Sequence, residues 1–216
     1  MLIRKVNIQG SFREWWPHSS IPIRHSSIDM RVISGQFRGR KLRGPRGAEI
    51  RPTGDRLKES LFNILDPSIQ GTVFVDVFAG TGAIGIEALS RGARQVVFVD
   101  SSREGCRLIR ENLELCGIES GFRLLSSDVF TALRLLVREG FSADILFMDP
   151  PYQWRPYRDL LEVCFRTGLA HGNSRVVIEH DRKAEVPEDG EDYHRARTVR
   201  QGHKCLSFYG FKSPGI

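Results

Sequence analysis

Residues 72–93, TVFVDVFAGTGAIGIEALSRGA, decide the fold. Positions 72–78 are apolar except for Thr72 and Asp76, the pattern of a buried strand. A glycine turn follows, and small and apolar residues then suit a helix over 83–91. Gly80, Gly82 and Gly85 form G-x-G-x-x-G, which lets a ligand approach the backbone closely where helix N–H groups point outward. Glycines also serve ordinary tight turns. The strand before them and the helix after them give the spacing its meaning.

Working downstream, strands are predicted near 95–100, 122–126, 143–149 and 174–180, with helices near 102–116, 129–139 and 157–169. Ser101 and Glu104 stand three apart, a capping box for the first of these helices. Alternation of this kind is an α/β pattern: a Rossmann-like, doubly wound, mostly parallel sheet with helices on both faces. Two more strand-like runs, 193–199 and 204–209, flank Gln201-Gly202-His203 and predict a terminal hairpin with an antiparallel last strand. Ligands in such sheets sit at the carboxyl ends of the strands, so Gly80, Asp100, Asp128 and Asp149 should share one crevice.

Asp100 lies 20 residues beyond Gly80, where an acid can accept both ribose hydroxyls of an adenosine-containing ligand. That placement suits NAD and S-adenosylmethionine equally. Asp128 follows the strand at 122–126 and could reach an adenine, and Asp76 interrupts the first strand just before the turn. Helix capping is the alternative for Asp100 and Asp128. For Asp76 the alternative is a paired structural acid.

Residues 144–152, DILFMDPPY, distinguish the two cofactors. Pro150 and Pro151 fix the backbone and remove two N–H donors, so the Asp149 carboxylate and neighbouring carbonyls remain as acceptors. Tyr152 offers a ring on which a base can stack. The lone pair of a guanine or adenine amino group is delocalised into its ring. Two acceptors on its hydrogens bend the nitrogen toward tetrahedral geometry and aim it at an activated methyl group, by positioning and electrostatics alone. A methyltransferase uses such a corner; a nicotinamide enzyme gains nothing from it. The alternative is a Pro-Pro turn whose Asp caps the next helix. Trp154 fits a base-pocket wall or the core equally well.

The chain of 216 residues suits one domain of moderate size, with a formal charge of +6 and a pI near 9.4. Nine Lys or Arg fall between Arg31 and Lys58 against Glu49 and Asp55, a density able to neutralise several phosphates. A solvated basic face without a partner is the alternative. Residues 31–35 and 40–43 could pair as a small hairpin; Leu57, Leu61, Ile64 and Leu65 lie at helical spacing, with Thr53 as the N-cap. Cys106, Cys116, Cys164 and Cys205 are scattered and read as reduced thiols, with neither a disulfide framework nor a metal site. The six histidines form no motif and read as surface or satisfied side chains. Nothing resembles a signal peptide or membrane span, so a cytoplasmic protein is expected.

Four stretches in order, MRVISGQFRGRKLRGP (30–45), RPTGDRLKESLFNIL (51–65), VDVFAGTGAIGIEALSRGA (75–93) and DILFMDPPY (144–152), resemble the bacterial small-subunit ribosomal RNA guanine-N2 methyltransferases. The resemblance runs from about Met30 to Phe211. It implies a class I methyltransferase fold and transfer from S-adenosylmethionine to the N2 amine of a guanine in 16S ribosomal RNA, within an assembling small subunit. It also implies catalytic roles for Asp149, Pro150 and Tyr152. Cofactor contacts would come from Asp76, Phe78, Ala79, Gly80, Thr81, Gly82, Asp100 and Asp128. The basic density between Arg31 and Lys58, rather than the resemblance, points to Arg38, Arg40, Lys41, Arg43, Arg51 and Arg56 as the RNA contacts. The turn at Arg51-Pro52-Thr53 would help close the cofactor site. The expected organisation is a basic RNA-contacting segment at 30–66 and a methyltransferase domain at 67–216, acting as a monomer. Residues 1–29 depart from the pattern and read as a disordered extension or a start codon chosen upstream of Met30. Gln201 stands where an aromatic residue is expected. A DNA adenine-N6 methyltransferase and a non-catalytic RNA-binding assembly factor are the competing readings.

Overall fold

The computed structural model describes residues 30–45, 52–66 and 68–212, so the expectations for 1–29 and for Arg51 lie outside the described residues. Its centre is a sheet of seven strands: β3 (Val73–Val77), β4 (Gln95–Asp100), β5 (Phe122–Ser126), β6 (Ala143–Met148), β7 (Ala170–Asp181), β8 (Tyr193–Gln201) and β9 (Lys204–Phe211). They lie in the order β5-β4-β3-β6-β7-β9-β8. The first five are parallel, and β9 runs antiparallel between β7 and β8. The chain reverses direction across the sheet between β3 and β6, the switch point at which such folds open a ligand crevice.

Two apolar layers sandwich the sheet. On one face α1 (Pro52–Leu65), α2 (Ala83–Ser90) and α3 (Arg103–Leu115) pack Phe62, Ile86 and Ile109 against Phe74, Phe98 and Phe147. On the other, α4 (Val129–Arg138) and α5 (Tyr157–Arg166) pack Leu133 and Leu161 against Val75, Val97 and Leu146. Every residue of β3 is buried, so its Val-rich sequence carries no polar alternation apart from Asp76.

The amino-terminal segment belongs to the first of these layers: Val32, Leu42, Leu57, Leu61 and Leu65 are buried in it. Its hairpin is shorter than the sequence suggests, with β1 (Met30–Arg31) and β2 (Lys41–Leu42) contributing two residues each. Side chains replace the missing ladder. Buried Glu87 of α2 accepts from Ile33 N (2.7 Å) and Ser34 N (3.0 Å), and Ser90 Oγ accepts from Phe37 N (2.9 Å). Buried Asn112 of α3 accepts from Arg43 N (2.6 Å) and donates to Arg43 O (3.0 Å) and Thr81 O (2.8 Å).

Two expected caps differ. Ser102, not Ser101, caps α3: its hydroxyl accepts from Gly105 N at 3.1 Å while Asp100 Oδ1 accepts from Ser102 N at 2.7 Å. That register puts Gly105 against the Asp100 carboxylate, where a Cβ would stand 2.8 Å from Oδ1. Thr53 lies inside α1, which begins at Pro52, a residue suited to the first helical position because its missing N–H would have had no helical partner. Lys58 is also withdrawn from the expected basic surface: it is buried and donates to Arg31 O at 2.8 Å. No helix among the described residues is long and apolar enough to cross a membrane.

Candidate active site

Phe74, Phe98 and Phe147 lie in one core layer, so strand alternation turns Asp76, Asp100 and Asp149, each two residues further on, toward the same face at the carboxyl edge. The turn beside them is held by its acids. Asp100 Oδ2 accepts from Gly80 N at 2.7 Å, and Asp76 Oδ2 accepts from Gly85 N at 2.8 Å.

The three glycines have separate tasks. A Cβ on Gly85 would stand 2.2 Å from the Phe98 ring, so this residue lets α2 lie on β4. Gly82, the N-cap of α2, takes φ 76° and lies close to Ile109. Gly80, at φ 54°, faces open space: a Cβ there would meet only the Phe78 carbonyl oxygen, 3.9 Å away. Its open side is the one a ligand can approach. Phe78 itself has φ 60°, the one non-glycine among the described residues with positive φ, a conformation that costs about 1–3 kcal/mol. Its ring meets Trp154 edge-on at 5.4 Å, and Trp154 also packs on Phe130 and Tyr157. Trp154 thus buttresses the turn from the α4–α5 side.

Burial holds the Asp76 carboxyl well above the usual carboxylate range; the Gly85 N–H opposes this, and the charges of Asp149 and Asp100 reinforce it. A cationic amine brought next to Asp76 would relieve that strain. The donor set therefore fits an S-adenosylmethionine-type cofactor: Asp100 at the end of β4 for a ribose, Asp76 for an ammonium, and the open backbone at Gly80 between them. Asp128 is exposed at the end of β5 and N-caps α4, accepting from Thr131 N at 3.0 Å. The Thr131 hydroxyl and N–H hold its pKa low. The capping alternative for Asp128 is what its hydrogen bond displays.

Asp149 follows β6 directly, with its own N–H 3.4 Å from Val77 O. Its side chain is 45 % exposed, yet desolvation by the surrounding protein and the Glu179 carboxylate push its pKa up to about 7, against the pull of Lys204. Pro150 is buried, and Tyr152 projects into solvent at 71 % exposure, free to stack. Asp149 does not cap α5, whose N-cap is Pro156.

Two residues that the sequence pattern does not single out complete this corner. Lys204 Nζ bonds Glu179 Oε1 and lies 3.7 Å from Asp149 Oδ1. Only the pairing of β6, β7 and β9 brings them together. Gln201, the last residue of β8, accepts from Ser60 Oγ of α1 at 3.4 Å, so a polar contact fills the place expected for an aromatic ring.

The expected RNA residues are not all at this crevice. The turn at 35–39 docks on Ser90, at the amino edge of the sheet, through Gln36 N to Ser90 O at 2.8 Å. Exposed Arg38 and Arg40 therefore lie a helix length, about 12 Å, from the glycine turn. Arg43 is half-buried and paired with Glu111 at 2.9 Å, while Arg56 is exposed near the start of α1. Among the described residues no group of His, Cys, Asp or Glu could hold a metal ion, and all four cysteines are free and buried.

Comparison with known proteins identifies the family and the fold. Residues 30–210 match the family model "Conserved hypothetical protein 95". "Ribosomal RNA small subunit methyltransferase D" of Escherichia coli (strain K12) is 38 % identical over 194 residues, covering 90 % of this chain and 96 % of its own. "Putative rRNA methyltransferase YlbH" of Bacillus subtilis (strain 168) is 34 % identical over 180 residues, 83 % of this chain and 98 % of its own. The solved structure "Putative methyltransferase yhhF from Escherichia coli" superposes with a TM-score of 0.71 at 30 % identity, covering 86 % of this chain and 99 % of that one. The fold is that of the class I S-adenosylmethionine-dependent methyltransferases. With a family model spanning 30–210 and 38 % identity across nine-tenths of its length, the chain belongs to the conserved hypothetical protein 95 family, that of the ribosomal RNA small subunit methyltransferase D proteins.

Proposed function

We propose that this protein methylates the exocyclic N2 amine of a guanine in 16S ribosomal RNA, using S-adenosylmethionine. The observation that carries the proposal is the adjacency of two sites at one sheet edge: Asp76 of β3, Gly80 in the turn after it and Asp100 of β4, and Asp149 just past the end of the neighbouring β6. The cofactor supplies an electrophilic methyl group on a sulfonium.

The remaining chemistry belongs to the chain. Asp149 and the Pro150 carbonyl accept the two amine hydrogens and so orient the nitrogen lone pair. Tyr152 stacks on the base, which must be flipped out or already unpaired to enter. Methylation of the amine would require the nitrogen to shed one proton, which ionised Asp149 is placed to accept and pass to solvent. Arg38, Arg40, Lys41, Arg43, Arg51 and Arg56 contact RNA phosphates. The enzyme acts as a cytoplasmic monomer on an assembling small subunit, with the segment at 30–66 as the RNA arm of the methyltransferase domain at 67–216.

The test is methyl transfer from labelled S-adenosylmethionine to undermethylated small subunits, naked ribosomal RNA and unmethylated DNA, followed by nucleoside analysis. N2-methylguanosine from the subunit sample is expected. N6-methyladenine from DNA would overturn the assignment, as would cofactor binding without any product.

A further inference from the structure

The β7–β9 pairing brings a cation to the acceptor corner that the fold does not require there. Met148 pairs with Ile178, so Asp149 and Glu179 stand side by side just beyond that register. Lys204 begins β9 opposite Asp181 and Gln201, and its ammonium reaches back to both carboxylates. The turn that carries it is fixed from two directions, by Arg182 N donating to His203 O at 2.7 Å and by Ser60 of α1 on Gln201.

We infer that Lys204, anchored by Glu179, is a positioning residue that keeps Asp149 ionised and aimed at the amine to be methylated. This rests on the function proposed above. An ammonium has three donors and no acceptor. One donor is committed to Glu179, which fixes where the ammonium sits, while Asp149 Oδ1 lies 3.7 Å away, an ion-pair distance rather than a hydrogen bond. Oδ1 is thereby turned toward the hairpin, and Oδ2 is the oxygen presented to a substrate.

The charges around Asp149 require such a cation. Glu179 faces it from β7, Asp76 from β3 with Asp100 behind it on β4, and the Tyr157 hydroxyl from α5; Lys204 on β9 is the cation. Without Lys204, desolvation and the Glu179 carboxylate favour a protonated Asp149, which donates where the amine needs an acceptor. The Lys204 side chain is 36 % exposed, so replacing it leaves the apolar core intact.

Two readouts test the inference. The first is the titration of the Asp149 carboxyl carbon by nuclear magnetic resonance in the protein without substrate. The second is the pH dependence of single-turnover methyl transfer to RNA. Lys204→Met should move both the carboxyl titration and the acid limb of the rate upward by about one pH unit or more, the effect of removing an opposite charge at such a separation. Lys204→Arg should restore them toward wild type. Glu179→Gln should move both downward, because it removes a like charge and leaves Lys204 to Asp149. Since the titration needs no substrate, failure of the guanine assignment leaves it readable: a shifted titration still supports the hold of Lys204 on Asp149. An unmoved titration in both Lys204→Met and Glu179→Gln overturns it. So does a Lys204→Met rate that falls equally at every pH.

Discussion

Glu87, a carboxylate with no solvent contact, accepts the backbone N–H of Ile33 at 2.7 Å, so one buried side chain of α2 fixes the path of the amino-terminal hairpin. Arg91, one turn along, donates to it at 2.9 Å. Glu87→Ala would leave the Arg91 guanidinium and two backbone donors without their acceptor. The expected loss is about 3–5 kcal/mol of unfolding free energy, as for other broken buried pairs. Chemical denaturation measures it, and hydrogen exchange should show residues 30–45 opening before the central strands.

Asp76 links stability to pH in the cofactor-free protein. Its folded pKa lies above that of an unfolded aspartate, so the native state holds a proton that the unfolded chain releases. Stability contributed by this group is therefore present at low pH and lost as pH rises from about 4 through the raised value. Asp76→Asn should abolish that loss, and its melting temperature should exceed that of wild type by a margin that grows with pH. The same change should weaken S-adenosylmethionine binding roughly tenfold or more, since a hydrogen bond to a charged group is removed. Parallel thermal scans and calorimetric titrations check both signs.

The contrast between what was readable in the sequence and what was not has a physical basis. Strands β3 to β6 and helices α2 to α5 follow from apolar periodicity, which burial enforces residue by residue. Asp100 and Asp149 were legible because each ends an apolar strand in a fold whose strand ends converge. Glu87, Asn112, Glu179 and Lys204 were not. Each is one polar residue whose partner lies 25 to 69 positions away, and nothing local distinguishes a buried acceptor from a solvated one. The expected hairpin was too long for a related reason: side-chain acceptors on α2 and α3 hold residues 33–43, where a ladder was expected. Ser101 and Ser102 both fit the local capping pattern, and only the Asp100 contact selects the second.

Tyr193 offers a stabilising change. Its ring is buried among Phe165, Tyr209 and Phe211, and no partner among the described residues reaches its hydroxyl. Tyr193→Phe removes that buried oxygen while keeping the ring. A gain of roughly 1 kcal/mol is expected. In a chain of this size that is a rise of about 2–4 °C in melting temperature. A loss of stability would mean that the hydroxyl has a partner, such as a buried water.

For Asp149 the prediction concerns rate. With its pKa pushed up to about 7, the carboxyl is increasingly protonated below that pH and ceases to accept from the amine. Methyl transfer should therefore fall as pH drops through 7 and level off above it. Asp149→Ala should lower single-turnover transfer by about 10²–10³, the usual cost of removing one preorganised polar group from a reacting centre. Cofactor affinity should stay within a few fold, because Asp100 and Asp76 are untouched. Equal losses in transfer and cofactor binding would place Asp149 in the cofactor site instead.

The basic hairpin tip makes a prediction that depends on distance. Arg38 is exposed in the turn docked on Ser90, and Arg40 lies beside Cys116 at the end of α3, so both are at the sheet edge opposite Asp149. An RNA that reaches both regions must run along the α2–α3 face, and the tip touches phosphates remote from the target base. Replacing Arg38 and Arg40 by Ala should then weaken binding uniformly across sequences. It should also flatten the plot of log affinity against log salt by about 1.5, each lost phosphate contact contributing roughly 0.7–0.9. Transfer measured at saturating RNA should change little, because neither side chain approaches the crevice. Binding assays from low to moderate salt, paired with single-turnover rates, test both halves. An unchanged slope would remove the hairpin tip from the contact surface and leave Arg56 and the rim of the crevice to hold the RNA.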